Sequence, residues 1–261
     1  MIKRSLVSLA ALSAVALTAS ACGSSGGETA SGAQLVKDGT LTVCSDVPYA
    51  PFEDFDKSSS LGFKGFDIDI VNAVAKGMDL KLAVLDEDFN SLKSGLALNA
   101  GTCDLVASAL TITDDRKKNL DFTDGYYDSK QSLLVPEGSS IKSIEDLAGK
   151  NVGVQQGTTG KDYAEKNAKG AKIVTFPSDA EEFQAIKAGQ VDALLQDLPV
   201  NLTHEQAGGY TIVQQFDTDE EYGFAAKKGN DELVKEVDEQ LAKLKKDGEY
   251  QKLYDKYFKV S

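Results

Sequence analysis

Short strand patterns and amphipathic helix patterns alternate along most of this chain, and no other feature constrains its fold as much. Leu41–Cys44 is the first apolar strand pattern, and Ile70, Val71, Val74 and Ala75 follow it at helical spacing. A second series of the same kind begins at residue 151. Strands that alternate with helices form mostly parallel sheets covered by helices on both faces. We therefore predict an α/β fold with two such units.

The order of these patterns divides the chain into two lobes. The chain leaves the first unit near Asp128–Leu133 and returns to it near Tyr222. We therefore predict lobe 1 over residues 37–130 and 222–261, and lobe 2 over residues 131–221. Two chain crossings form a hinge about which the lobes can close. Because ligands of such sheets bind beyond the carboxyl ends of the strands, we expect the site in the cleft between the lobes.

The N-terminus has the features of an export signal. A basic start precedes an apolar run from Leu6 to Ala19, which is shorter than the roughly 20 residues that span a bilayer. The run ends in small residues before Cys22, which resembles a bacterial lipoprotein cleavage box, although Ala19 stands where leucine is usual. We predict a signal peptide over residues 1–21, lipidation of Cys22 and a flexible Gly/Ser-rich tether over residues 22–36. The alternative is an ordinary secretory signal with a chance cysteine.

Charge and cysteine content restrict the possible partners. The formal net charge is −13, so we expect no nucleic-acid partner, although an acidic surface can favour encounters with cationic solutes. No Cys/His metal spacing or phosphate-binding loop occurs, and we expect no cofactor and no metal.

Cys44 and Cys103 lie near strands that we expect to be neighbours. Outside the cytoplasm they can form a disulfide, and two separate buried thiols are the alternative.

Five motifs follow one another between Gly39 and Tyr257. They are Leu41–Glu53, Gly65–Asp69, Thr111–Arg116, Asp121–Tyr127 and Val152–Thr159. In this order and at these separations the motifs resemble those of the periplasmic amino-acid-binding proteins of polar amino acid ABC transporters, bacterial solute-binding protein family 3. The resemblance implies a two-lobed periplasmic-binding-protein fold of type II. It also implies that the protein captures a free polar or basic amino acid in the cleft for an ABC importer.

The resemblance assigns the charged ends of the amino acid to opposite charges of the protein. Arg116 would bind the α-carboxylate through its planar guanidinium, together with Thr158 and Thr159 at a helix start. Asp197 would bind the ammonium group. Two further contacts would come from the Ala109 carbonyl and from Thr111. The alternatives are an exposed helix arginine at position 116 and simple helix caps at the threonines and at Asp197.

The resemblance also indicates which residues surround the side chain of the amino acid. They are Asp46, Tyr49, Phe52, Phe89, Gln155 and Gln196. Asp46 can pair with a cation or accept from an amide, and the absence of an additional Arg or Lys here argues against acidic ligands. We therefore rank arginine, lysine and histidine ahead of glutamine. Phe52 and Phe89 could instead belong to the core.

A dehydratase on the same fold and an amino-acid-sensing ectodomain are the alternative functions. Catalysis would need a base beside the cleft, and the only histidine, His204, is expected to face solvent. We therefore expect no enzyme activity. The expected partners are ABC permease subunits and, through the lipid alone, the membrane. We expect a monomer on the outer face of the bacterial cell membrane or in the periplasm.

Overall fold

Two five-stranded β-sheets flanked by helices form the protein in a computed structural model that describes residues 27–30 and 32–259. The predicted signal peptide and the predicted lipidation of Cys22 lie outside the described residues. The strands are β1 (Gly27–Glu28), β2 (Gln34–Leu35), β3 (Thr40–Ser45), β4 (Asp54–Phe55), β5 (Phe63–Lys64), β6 (Lys81–Asp86), β7 (Leu105–Val106), β8 (Leu120–Phe122), β9 (Tyr127–Pro136), β10 (Asn151–Gln155), β11 (Lys172–Phe176), β12 (Ala193–Asp197), β13 (Tyr210–Tyr222) and β14 (Ala225–Lys227). The α-helices are α1 (Phe66–Gly77), α2 (Phe89–Ser94), α3 (Leu96–Asn99), α4 (Thr159–Asn167), α5 (Asp179–Lys187), α6 (Leu198–Gln206), α7 (Asp231–Lys246) and α8 (Glu249–Phe258).

Both sheets are mixed. The first has the strand order β6-β3-β7-β14-β8, and the second has the order β11-β10-β12-β9-β13. In each sheet the first three strands are parallel, and the last two join antiparallel to their neighbours. The predicted α/β fold is therefore confirmed, but the sheets are less parallel than we expected.

The antiparallel strands arise from the connections between the sheets. Residues 123–126 alone separate β8 from β9, and residues 223–224 alone separate β13 from β14. These two runs pass from one sheet into the other in opposite directions, without the helical crossover that a parallel pair requires. Each run therefore adds a strand to both sheets.

Strands β9 and β13 pair with each other at the ends that adjoin these two links. Tyr222 lies opposite Tyr127, and Glu220 lies opposite Ser129, whereas the register shifts between Phe216 and Glu220. We keep the names lobe 1 and lobe 2 for the residue ranges predicted from the sequence. We call Tyr127–Ser129 of β9, paired with Glu220–Tyr222 of β13, the hinge ribbon.

The N-terminal segment is ordered earlier than the tether prediction allows. Strand β1 pairs with β2, and the hydroxyl of Thr29 donates to Glu236 of α7. Ala33 and Leu35 are buried in the core of lobe 1. The prediction of a flexible tether over residues 22–36 is therefore wrong for its second part, because two apolar residues within it gain burial against the body.

A disulfide joins Cys44 of β3 to Cys103, which precedes β7, with a Cα–Cα distance of 5.8 Å. Strands β3 and β7 are parallel neighbours, and Cys44 lies opposite Val106. The predicted pairing of the two cysteines is therefore present. It closes a loop of 59 residues, which restricts the unfolded chain.

Two glycines lie at helix boundaries in lobe 1. Helix α1 begins at Phe66 after Gly65, and Asp67 lies within its first turn. Gly95 adopts a left-handed conformation with φ 79° and separates α2 from α3. No helix within the described residues is long and apolar enough to cross a membrane.

Candidate ligand site

A small cavity lies between the lobes, next to the ends of strands from both sheets. Asp46 follows β3, Thr111 follows β7 and Asp197 ends β12. The lining residues are Asp46, Tyr49, Phe89, Ser108, Ala109, Thr111 and Arg116 from lobe 1, and Gln155, Thr158, Thr159 and Asp197 from lobe 2. All the residues predicted to contact the ligand, except Phe52 and Gln196, are therefore at one cavity.

Arg116 contributes a buried cation to this cavity. It begins a 3-10 helix over Arg116–Lys118, and only 7% of its surface is exposed. Its Nη1 donates to the carbonyl of Thr111 at 2.7 Å, and its Nη2 donates to the carbonyl of Gly157 at 3.3 Å. The guanidinium carbon lies 5.4 Å from the centre of the Phe89 ring. The exposed helix arginine that we considered is therefore excluded.

In the part of the chain that the structure describes, no carboxylate forms an ion pair with the Arg116 guanidinium. Burial lowers its pKa, whereas the more distant charges of Glu220 and Asp197 raise it. A buried cation is costly unless it is paired, so this guanidinium is suited to receive an anion.

The N-terminus of α4 lies at the same cavity. Thr158 is the N-cap: its hydroxyl accepts from the Lys161 N–H at 3.1 Å and donates to the carbonyl of Gln155. Of the two threonines considered as helix caps, Thr158 is the one that caps α4. Thr159 is the first helical residue, and its backbone N–H has no acceptor inside the helix. This helix end and Arg116 together favour an anion.

Asp197 provides the opposite charge. Its Oδ2 accepts from the hydroxyl of Tyr49 at 2.7 Å, and its Oδ1 accepts from the side-chain amide of Gln131. It occupies the N-cap position of α6 but makes no capping hydrogen bond with its side chain, so the simple cap that we considered is excluded. Burial raises the pKa of Asp197 to about 6, and the charge of Glu220 contributes to the increase.

Asp46 marks a second acidic region of the cavity. Its Oδ2 accepts from the Gln155 amide of lobe 2 at 2.6 Å. Burial raises the pKa of Asp46 to about 7; the Gln155 hydrogen bond lowers it, and the charges of Asp86, Asp88 and Asp179 raise it further. A cation beside Asp46 would reduce this repulsion between carboxylates.

Ser108 lines the cavity but was missed by the sequence reasoning. Its hydroxyl donates to Oε1 of the buried Glu53 at 2.7 Å and accepts from the Asp46 N–H at 3.0 Å. Ser108 therefore holds the loop that carries Asp46. Its neighbour Ala109, with φ 43°, donates its N–H to Asp67. The position of Ser108 directly before Ala109 was the available signal.

Two predicted contact residues lie elsewhere. Phe52 is fully buried in lobe 1, where its ring packs against the rings of Tyr127, Tyr222 and Phe258. Gln196 is buried in lobe 2, and its amide donates to Asn201 at 3.0 Å. Neither side chain lines the cavity. Phe52 belongs to the core, as the alternative allowed, and Gln196 belongs to a hydrogen-bond network inside lobe 2.

His204 is buried, contrary to our expectation that it faces solvent. Its Nε2 lies 2.8 Å from Oδ1 of Asp179, and its ring stacks on Phe183 with 3.8 Å between the ring centres. The two helices α5 and α6 bring these residues together, which the sequence pattern did not reveal. His204 does not line the cavity.

Contacts around the cavity join the two lobes. The Tyr49–Asp197, Asp46–Gln155 and Arg116–Gly157 hydrogen bonds all cross between them. A Cβ atom at Gly157 would come within 2.5 Å of Cε of Lys93, so the turn before α4 lies close to α2. The lobes are therefore closed around the cavity.

Glu182 on α5 allows a test of stability away from the cavity. Its side chain is fully buried, and neither carboxyl oxygen has a hydrogen-bond partner among the described residues. Burial, followed by the charges of Asp179 and Asp197, raises its pKa well above its usual value. We expect Glu182→Leu to increase the free energy of unfolding by about 1–3 kcal/mol at pH 7.

The expected gain depends on pH. Because the native pKa of Glu182 is raised, the native state retains a proton that the unfolded state loses above pH about 4.3, so the wild-type stability falls as the pH rises. Urea unfolding at pH 4 and pH 7 should therefore show the larger gain at pH 7. Glu181→Leu, at an exposed neighbouring position, is the matched control and should change little. A loss of stability in Glu182→Leu would show that the carboxyl has a stabilising partner.

Comparisons with known proteins agree with this geometry. Residues 41–260 match a family described as bacterial extracellular solute-binding proteins, family 3. A protein named "probable histidine-binding protein" from Neisseria gonorrhoeae is 37% identical over 258 residues, which cover 95% of this chain and 94% of that protein. The ABC transporter glutamine-binding protein GlnH of Bacillus subtilis is 36% identical over 265 residues, which cover 97% of this chain and 96% of that protein.

A solved structure is also similar. An ancestral arginine-binding protein bound to arginine superimposes with a TM-score of 0.79 at 40% sequence identity. The match covers 84% of this chain and 98% of that chain. The two-lobed architecture is therefore shared with a protein whose structure contains bound arginine.

Proposed function

This chain belongs to the bacterial extracellular solute-binding proteins, family 3, and from this premise we propose that it captures a free amino acid with a cationic side chain for an ABC importer. The site supports an amino acid because it offers opposite charges at one small cavity. The guanidinium of Arg116 and the N-terminus of α4 suit the α-carboxylate, and the carboxylate of Asp197 suits the α-ammonium group. Each charged end needs such a partner, since removing an ion from water costs several kcal/mol.

Asp46 is the reason for proposing a ligand with a cationic side chain. It is the cavity-lining carboxylate that Asp86, Asp88 and Asp179 surround with further negative charge. Within the described residues Arg116 is the only Arg or Lys that lines the cavity, and the α-carboxylate would use it. We therefore rank arginine, lysine and histidine ahead of glutamine. Relatives named for histidine and arginine binding support this ranking, and a relative named for glutamine binding supports glutamine as the runner-up.

The observation that carries the proposal is the buried guanidinium of Arg116, which lines the cavity without a carboxylate partner among the described residues. Isothermal titration calorimetry with each of the natural amino acids tests it. We expect arginine or lysine to bind at least about tenfold more tightly than glutamine, and we expect no binding of glutamate or aspartate. Absence of heat with every amino acid would overturn the proposal.

Two ligand analogues make this experiment more specific. Agmatine is arginine without its carboxylate, and Nα-acetyl-arginine lacks the charged α-ammonium group. Each removes one of the two ion pairs, so each should bind far more weakly than arginine. Equal affinity of agmatine and arginine would contradict the role of Arg116.

We propose that the amino acid shifts the lobes towards the closed form, because it contacts both lobes only there. ABC permease subunits would then receive it, which we propose from the relatives of known function. The monomeric state and the anchoring of an exported chain through a lipid on Cys22 also belong to the proposal. We propose binding without catalysis, which is supported by the position of His204 away from the cavity.

A further inference from the structure

Glu220 occupies an unusual position on the hinge ribbon. It follows Asp217, Thr218 and Asp219, where β13 loses register with β9, and it pairs with Ser129. Asp219 has φ 51°, a left-handed conformation that is uncommon for aspartate. Glu220 is buried to 9% exposure, although the residues on either side of it are exposed. The distortion of the strand thus places one carboxylate inside the protein.

The Glu220 carboxylate connects both lobes. Its Oε2 accepts from the hydroxyl of Thr111 in lobe 1 at 3.0 Å and from the hydroxyl of Thr159 in lobe 2 at 2.6 Å. Its Oε1 accepts from the amide of Gln131 at 3.0 Å, and this amide also donates to Asp197. Glu220 therefore contacts two cavity-lining threonines and, through Gln131, the proposed ammonium partner. We call these contacts the Glu220 clasp.

The clasp decides which groups of the threonines can serve a ligand. A hydroxyl has a single proton, so a threonine that donates to Glu220 cannot donate the same proton to an α-carboxylate. The backbone N–H of Thr159, at the start of α4, remains without an acceptor in the helix. The α-carboxylate would therefore be received by Arg116 and by this N–H, with the threonine hydroxyls held away from it.

We infer that Glu220 is a positioning residue whose carboxylate holds Thr111 and Thr159 together across the lobes and thereby stabilises the closed form. The clasp consists of protein groups alone, so it favours closure whether or not a solute is bound. The inference rests on the proposed function only in taking the cavity as the ligand site. Because the apparent affinity falls with the fraction of the binding-competent form, loss of the clasp should weaken binding without removing any ligand contact.

A double-mutant cycle tests the inference on the mature chain. The variants are Glu220→Ala, Thr111→Val with Thr159→Val, and all three changes together. Small-angle scattering without ligand should give a larger radius of gyration for each variant than for the wild type. Calorimetry should give about a tenfold loss of arginine affinity in Glu220→Ala. Adding the threonine changes to Glu220→Ala should have little further effect, because the same contacts are already lost.

Two additional variants keep the test decisive. Glu221→Ala removes an exposed carboxylate from the adjacent position and should behave as the wild type. Glu220→Gln retains one acceptor oxygen but directs an amide towards that of Gln131, so its effect should be intermediate. It replaces Glu220→Ala if the latter does not fold.

An unchanged radius of gyration and affinity in the Glu220 variants, or additive effects of the Glu220 and threonine changes, would overturn the inference. If the wild type binds no amino acid, the proposed function fails, while the scattering result still decides the clasp.

Discussion

Arg116→Ala should weaken the binding of every amino acid that this protein recognises, by about 2–5 kcal/mol, or roughly 30-fold to several-thousand-fold. The guanidinium is buried at the cavity without a carboxylate partner among the described residues, so the shared α-carboxylate loses its main cation. Because that group is common to all ligands, the losses for arginine, lysine and histidine should be similar. Calorimetry with these three amino acids measures the effect.

Two other variants show whether the loss comes from the geometry of the site. Lys117→Ala removes an exposed cation from the same 3-10 helix and should leave the affinities unchanged. Arg116→Lys keeps the charge but loses the planar fork, so its affinity should lie between those of the wild type and Arg116→Ala. Wild-type affinity in Arg116→Ala would refute the assignment of the α-carboxylate.

Asp46→Asn should change the ranking of ligands rather than weaken all of them. We expect at least about a tenfold loss for arginine and lysine and a much smaller loss for glutamine, because asparagine can still accept from an amide but cannot neutralise a cation. Asp114→Asn, an exposed position in lobe 1, is the control for a general change of charge. Competition calorimetry with arginine and glutamine provides the ranking, and an unaltered ranking would show that Asp46 does not select the side chain.

The Asp46→Asn variant should also reduce the pH dependence of arginine binding. Asp46 binds a cation in its deprotonated form, and burial raises its pKa to about 7. As the pH falls from 8 to 6, the wild type should therefore lose affinity for arginine, whereas Asp46→Asn should lose less. Asp197, whose pKa is about 6, titrates in both proteins, so the difference between them isolates Asp46. Parallel pH profiles would contradict the pairing of Asp46 with a cationic side chain.

The sequence was sufficient to predict the α/β fold, because helix and strand periodicities are local. The resemblance to family 3 is confirmed, and Arg116 and Asp197 lie where the motifs and the strand ends suggested. The connections were less predictable. Because of the two short links between the sheets, the last two strands of each sheet are antiparallel to their neighbours. The pairing of these strands depends on residues that are far apart in the chain.

The errors at the site concern the direction of side chains. Gln196 and Asp197 are adjacent, and successive side chains of a strand point to opposite faces, so only one of them lines the cavity. Tyr49 lines the cavity, but Phe52, in the same loop, packs in the aromatic core. Both choices depend on what covers each face, and a sequence pattern does not contain this information.

The amino-acid sequence by itself determined the alternation of strands and helices, the acidic character of the protein and the residue types that can hold a zwitterion. Only the tertiary structure decided which of these residues face one another. Glu220 lies 109 positions after Thr111 and 61 after Thr159, yet its carboxylate accepts from both hydroxyls. His204 becomes buried because α5 places Asp179 and Phe183 beside it. Such contacts form when distant segments pack, and local periodicity carries no record of them.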